Sequence, residues 1–123
     1  MVVGSIKENL ALEKRVALTP ETAKNIIELG LNIYIEKDYA KHLGIDDKQY
    51  EEVGVTVKSN SQEVINHSDL IIKVNCPEEN EISNFKEKSI LIGIFSPFKN
   101  KNLIDKLIKK KISVFSLELL PRI

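Results

Sequence analysis

Leu70-Ile71-Ile72-Lys73-Val74 decides the fold of this chain. Four of its five residues are apolar, and the pattern does not alternate. A strand with one wet face alternates apolar and polar residues. A continuous apolar run belongs to a strand covered on both faces, as in a parallel sheet sandwiched between helices. Ser89 to Phe95 (Ser-Ile-Leu-Ile-Gly-Ile-Phe) has the same character. Val2 to Ile6, Leu31 to Glu36, Val55 to Val57 and Ile112 to Phe115 supply four further strand-like segments.

Helical segments fall between them. Thr19 is placed as an N-cap, with Pro20 at the first helical position and Glu21 at the positive end of the dipole. Ala23, Ile26, Ile27 and Leu29 then share one face, and Gly30 ends the helix. Asp46 to Val53 reads as a short helix closed by Gly54. Ser61 is expected to cap a helix through Ile65, Pro77-Glu78-Glu79 to open another, and Asn100 to Lys110 to form the last. Strand alternating with helix predicts an α/β fold around a mainly parallel sheet, with helices on both faces. No internal repeat, linker or low-complexity segment interrupts it.

The composition is that of one soluble domain of 123 residues, 42% hydrophobic and 29% charged. Lys plus Arg and Asp plus Glu each total 18, which gives no argument for a nucleic-acid partner. Lys109-Lys110-Lys111 falls at a helix end, where the dipole favours cations. The single cysteine, Cys76, excludes an internal disulfide and a cysteine-based zinc site. No apolar run is long enough for a membrane helix, and no basic region precedes the first strand as in a signal peptide.

Ligands of open parallel sheets bind outside the carboxyl ends of the strands. At that edge the sequence predicts Arg15 in the long loop from Lys7 to Thr19, Lys73 and Asn75 after the fourth strand, Ser96 after the fifth and Arg122 after the sixth. Three cations there would suit an anion or carboxylate. Lys73 is the strongest anomaly, because a lysine inside an apolar strand must snorkel or find a partner.

Other chemistry is argued against. The five glycines form neither Gly-x-Gly-x-x-Gly nor a phosphate-binding P-loop. His42 and His67 have no acidic or cysteine partner in sequence, so no metal ligand set is expected. Cys76 reads as an inert thiol, and Glu8 and Glu13 as solvated carboxylates rather than an acid/base pair. Phe85, Phe95, Phe98 and Phe115 read as core or rim packing.

Gly4-Ser5-Ile6-Lys7-Glu8, Glu13-Lys14-Arg15-Val16-Ala17-Leu18-Thr19-Pro20 and Asp69-Leu70-Ile71-Ile72-Lys73-Val74-Asn75-Cys76-Pro77 together resemble the N-terminal domain of the alanine dehydrogenase and pyridine nucleotide transhydrogenase family. The resemblance runs nearly end to end, through Asp46-Asp47-Lys48, Glu52-Val53-Gly54 and Pro121-Arg122-Ile123. It implies a three-layer, Rossmann-like (flavodoxin-like) sheet without the glycine-rich dinucleotide motif. Within the family the chain is more similar to the transhydrogenase alpha subunits. Ile94-Phe95-Ser96-Pro97-Phe98 lacks the histidine that alanine dehydrogenases carry after the fifth strand, and Pro121-Arg122-Ile123 resembles a transhydrogenase segment near the nicotinamide. The turn Lys37-Asp38-Tyr39-Ala40 departs from the family's glycine-rich one.

The resemblance implies the following roles. Arg15 and Lys73 match the cations that hold the substrate carboxylate in alanine dehydrogenases, and here would shape the cleft near the nicotinamide. Arg122 would approach the nicotinamide or its ribose. No residue of this domain is expected to be catalytic. Residues 1–123 would be the N-terminal domain of a proton-translocating NAD(P) transhydrogenase alpha subunit, one wall of a cleft in which hydride passes between NAD(H) and NADP(H). The glycine-rich NAD domain would follow, so this portion alone is expected neither to bind NAD(H) tightly nor to transfer hydride. Expected partners are that NAD domain, the NADP-binding and membrane subunits, and a second copy in a homodimer. The location would be cytoplasmic, on the inner face of the membrane. The alternatives are an alanine or saccharopine dehydrogenase, a receiver-like signalling module, and a non-catalytic domain that only binds a partner.

Overall fold

The computed structural model describes residues 1–96 and 99–117. In chain order the elements are β1 (Val2–Ser5), α1 (Pro20–Glu28), β2 (Asn32–Glu36), α2 (Asp47–Glu52), β3 (Thr56–Lys58), α3 (Ser61–Asn66), β4 (Leu70–Ile72), α4 (Glu79–Ile82), β5 (Ile90–Gly93), α5 (Lys101–Lys109) and β6 (Ser113–Ser116). A 3₁₀ turn covers Lys41–Leu43. The strands form one sheet in the order β3-β2-β1-β4-β5-β6, and all the pairings are parallel. That order is the doubly wound Rossmann one, which differs from the flavodoxin order named beside it in the sequence reading.

Register fixes which residues share a face. Val3 pairs with Ile33 and Leu70, and Gly4 with Tyr34 and Ile71. On the first face Val3, Ile33 and Ile35 pack with Ala23 of α1 and Tyr50 of α2. On the second, Ile71 and Leu91 pack with Val64 and Ile65 of α3, Ile82 of α4 and Leu107 of α5. The run that predicted the fold is covered unequally. Ile71 is buried, whereas Leu70 and Ile72 are half-buried on the first face. Further along that face Ile90 and Ile92 are also half-buried, and Phe115 on the edge strand is 53% exposed. Phe85 and Phe95 are core residues as expected, Phe115 is rim, and Phe98 lies outside the described residues.

The helix starts follow their capping chemistry. Thr19 Oγ1 accepts the Thr22 N–H at 3.2 Å, with Pro20 inside the first turn. Gln49 Oε1 reaches back to the Asp46 N–H at 2.9 Å, one half of a capping box. The expected cap at Ser61 shifts by one residue: Asn60 caps α3, its Oδ1 accepting the Glu63 N–H at 2.9 Å. Asn and Ser are equally good caps, so sequence pattern alone did not separate neighbours. The turn after β2 is made by Asp38 at φ 61°, whose N–H is held by both oxygens of Asp47 at 3.0 and 3.1 Å. Aspartate is among the few residues that enter the left-handed region at modest cost.

Two glycines permit close strand packing. A Cβ on Gly4 would lie 2.1 Å from Ser68 Oγ, and one on Gly93 would lie 1.9 Å from the Lys73 carbonyl oxygen and 2.4 Å from Phe95 Cε1. The Lys73 carbonyl is backbone and cannot swing away. Gly93→Ala is therefore expected to lower the unfolding free energy by about 1–3 kcal/mol, measured by urea denaturation.

Candidate functional site at the carboxyl edge of the sheet

The chain switches direction between β1 and β4, and the crevice at the carboxyl ends of these neighbours is where a doubly wound sheet offers a site. Two loops meet there, the long one after β1 and the one after β4.

Lys73 continues the β4–β5 ladder one residue past β4, its N–H donating to Ile92 O at 3.0 Å. Its side chain is 3% exposed, and its ammonium donates to Glu8 Oε1 at 3.0 Å. The Glu8 side chain is 1% exposed. Its Oε1 also accepts the Asn75 N–H at 3.1 Å, and its Oε2 accepts the Val74 N–H at 2.9 Å. Glu8 is thus a buried counterion, which corrects its reading as a solvated carboxylate. Sequence reasoning demanded a partner for Lys73 but did not name it. The missing information was that β1 and β4 are neighbours, which brings the loop after one strand onto the end of the other.

Arg15 behaves differently. Its side chain is 67% exposed, and its guanidinium forks onto Glu13, Nε to Oε2 at 2.9 Å and Nη2 to Oε1 at 2.8 Å. The Arg15 backbone N–H adds a third bond to Oε2 at 3.0 Å. This grip pulls the Glu13 carboxyl down to about 2. Glu13 too is mostly covered rather than solvated, its side chain 12% exposed. Arg15 and Lys73, the two described cations of the edge, are therefore both paired. Arg122 lies outside the described residues.

Arg15 and Lys73 do line one cavity, of about 240 Å³, with Ala17, Ile72, Ile92, Gly93, Ile94 and Leu117 among its walls. The ammonium end of Lys73 meets Glu8, which lines a second cavity of about 280 Å³ with Lys7, Asn9, Glu36, Ser61, Glu78 and Glu81. The two cations thus share a wall without forming a joint pair of donors. A third cavity, again about 280 Å³, gathers Asn75, Cys76 and Ser96 with Leu12, Ile94, Lys99 and Asn100. Ser96 holds a left-handed φ of 44° there. Burial pushes the Cys76 thiol up to about 11, consistent with an inert role.

A buried hydroxyl chain fixes the loop that carries Arg15. Ser5 Oγ donates to Ile72 O at 2.6 Å, so its 2.7 Å contact with Tyr39 must be donated by the tyrosine. Tyr39 OH in turn accepts the Leu18 N–H at 3.1 Å, and Tyr50 OH donates to Leu18 O at 2.8 Å. Both groups of Leu18 are held, three residues after Arg15. Burial pushes the Tyr39 phenol up to about 12, and it stays a neutral donor. Neither tyrosine nor Ser5 was given a role from sequence; a hydroxyl in an apolar strand is the signal that could have found Ser5, whereas Tyr39 in the turn after β2 and Tyr50 in α2 carry no such signal.

The histidines stand apart. His42 Nε2 pairs with Lys14 O at 2.7 Å and His67 Nδ1 with Glu63 O at 2.7 Å. Neither lines the three cavities described. Among the described residues no three His, Cys, Asp or Glu side chains gather as a metal-ligand set.

Two outcomes follow from this geometry. Glu8→Gln or Lys73→Met alone leaves one buried charge without its partner and should cost about 3–5 kcal/mol. The double variant should recover most of that loss, as read by a double-mutant cycle of unfolding free energies. For Cys76, a thiol raised from 9.0 to about 11 holds a smaller thiolate fraction. Iodoacetamide at pH 8 should label the folded chain on the order of 100-fold more slowly than the unfolded chain.

Comparison with known proteins agrees with this architecture. Residues 4–123 match the family described as alanine dehydrogenase/PNT, N-terminal domain. The NAD(P) transhydrogenase subunit alpha of Haemophilus influenzae is 35% identical over 123 residues, covering 100% of this chain and 24% of that protein. The NAD(P) transhydrogenase subunit alpha of Cereibacter sphaeroides is 30% identical over 123 residues, again 100% of this chain and 24% of that one. The chain thus spans about a quarter of the length of these relatives. Among solved structures, a transhydrogenase from Sinorhizobium meliloti superposes with a TM-score of 0.93 at 30% identity, over 100% of this chain and 36% of that chain. The capped helices, the doubly wound strand order and these matches lead to one conclusion: the chain belongs to the alanine dehydrogenase/pyridine nucleotide transhydrogenase N-terminal domain family.

Proposed function

We propose that this domain forms one wall of the nicotinamide cleft in an NAD(P) transhydrogenase alpha subunit. In the whole protein, hydride would pass between NAD(H) and NADP(H), coupled to proton movement across a membrane. The observation that carries the reading is the make-up of the edge. Ser96 stands after β5, neither histidine lines the described cavities, and the cavity of Arg15 is walled by apolar groups and two cations with no carboxylate or histidine among its described residues. Direct hydride transfer needs two rings aligned and water kept out, which is a positioning task. The apolar walls Ala17, Ile72, Ile92 and Ile94 suit it. Relatives named as transhydrogenase alpha subunits match along the whole chain and support the same branch.

Arg15 sits at this wall with its guanidinium fork already shaped by Glu13. A phosphate or ribose oxygen of a dinucleotide could share that fork. Lys73 would set the shape and field of the cleft from behind the wall. Arg122, six residues beyond β6, would reach the nicotinamide or its ribose. The NAD(H) would be held by the glycine-rich domain of the same subunit, with the NADP-binding and membrane subunits as further partners and a homodimer as the assembly. Among the described residues no helix is long and apolar enough to cross a membrane. We place the domain on the cytoplasmic face, held there through its complex.

The test is hydride transfer from NADH to a reporter analogue of NADP⁺ by the protein that carries this domain. Arg15→Ala should slow transfer by about 10- to 100-fold, the worth of a charged hydrogen bond. Its melting temperature should hardly move, because an exposed ion pair contributes little stability. NADH oxidation that depends on pyruvate and ammonium would instead assign the protein to the amino-acid dehydrogenases.

A further inference from the structure

We propose that Glu8 is the positioning residue of the carboxyl edge, setting the place of Lys73 and holding the turn that follows β4. Three donors converge on one carboxylate: the Lys73 ammonium, the Val74 N–H and the Asn75 N–H. Among the described residues Glu8 is the only hydrogen-bond acceptor of that ammonium, although an ammonium carries three N–H groups. Its other N–H groups meet no acceptor among the described residues. Lys73 itself lines both the cavity of Arg15 and the acidic cavity. Glu8 decides how it stands between them.

The geometry separates this role from simple core packing. A buried lysine could be neutralised by any carboxylate, but Glu8 also binds two successive backbone N–H groups. It therefore fixes the β4 turn against the long loop after β1, in which Arg15 lies seven residues further on. The Glu8 charge also reaches beyond its hydrogen bonds. Behind the larger effects of Glu13 at Arg15 and of burial at Tyr39, it favours the protonated forms of both. One carboxylate thus links the two cations that the edge presents. The groups facing Lys73 in the acidic cavity are Glu36, Glu78 and Glu81, with Lys7 as the other cation. Glu36 is engaged by Lys7, and Glu78 accepts from Asn9 Nδ2 at 3.0 Å. Glu81 accepts the Glu78 N–H at 2.9 Å. None of these bonds Lys73.

The inference extends the cleft reading, and its test stands without it. In this chain, with no nucleotide present, the Lys73 ε-methylene is followed by NMR at pH 7. Glu8→Gln is expected to release the side chain, so that the two Lys73 ε-methylene protons lose most of the shift difference that a fixed rotamer gives them, because a buried cation has lost its counter-charge. Glu8→Asp keeps the charge but withdraws it by one methylene. It is expected to leave the Lys73 ε-methylene resonances near those of the parent while the Val74 and Asn75 amides exchange at least about tenfold faster. Ile71 and Leu91 amides should be unaffected. If Glu8→Gln does not fold, the Glu8→Asp exchange pattern decides. Unchanged Lys73 ε-methylene resonances in Glu8→Gln, or unchanged Val74 and Asn75 exchange in Glu8→Asp, overturn the proposal. In the protein that carries the domain, Glu8→Gln should slow hydride transfer no further once Lys73→Met is present. Slowing that multiplies in the double variant also overturns it. Absence of hydride transfer in the parent would fail the cleft reading and leave the NMR result standing.

Discussion

A lysine at the end of a buried strand sets the terms for this structure. Its charge cannot be left unpaired there, because desolvation is too costly. It must be met by a carboxylate from whichever segment the topology delivers. The sheet order places β1 beside β4, and the loop after β1 delivers Glu8. Once Glu8 is buried, its second oxygen takes the Val74 N–H as well. The path of the long loop is then constrained at its start by Glu8. At its end it is constrained by the hydroxyl chain from Ile72 through Ser5 and Tyr39 to Leu18. Arg15 lies between these two anchors. Its exposure is therefore compatible with a defined position, since Glu13, Glu8 and Leu18 hold the backbone around it.

What could be read from the sequence follows from how local each determinant is. The strand at Leu70 to Ile72 and the helix begun by Thr19 and Pro20 depend on residues within one turn or one run, and both were legible. Lys73 was legible as an anomaly for the same reason. Its partner was not, because 65 positions separate Glu8 from Lys73 and only strand order joins them. The same holds for Tyr39 with Ser5, 34 positions apart. Covering on both faces of β4 was inferred from its apolar run and is met in full only on the side of α3 to α5. A run of apolar residues records that a strand is inside, not how much of each face this chain itself covers.

The family match and the edge geometry support each other at different levels. The match gives the fold and the company the domain keeps among known proteins. The geometry gives the division of labour between the two cations. Arg15 is presented outward on a short local brace, and Lys73 is retained inward on a long-range one. An outward fork can exchange a carboxylate for another oxygen ligand at little cost. An inward ammonium with one partner can tune a wall without leaving it.

The central position of β1 has a consequence for how the chain reaches this state. β1 is made first in sequence, yet its two neighbours come from opposite halves of the chain, β2 about thirty residues on and β4 nearly seventy. The half through β3 can assemble on local crossovers while β1 still has an unpaired side. The Glu8 to Lys73 contact closes a much longer loop, and the entropy of that closure must be met before the contact can repay it. On this account the edge is among the last regions of the domain to form. Changes at Glu8 would then show mainly in the rate of unfolding, with the rate of folding little altered.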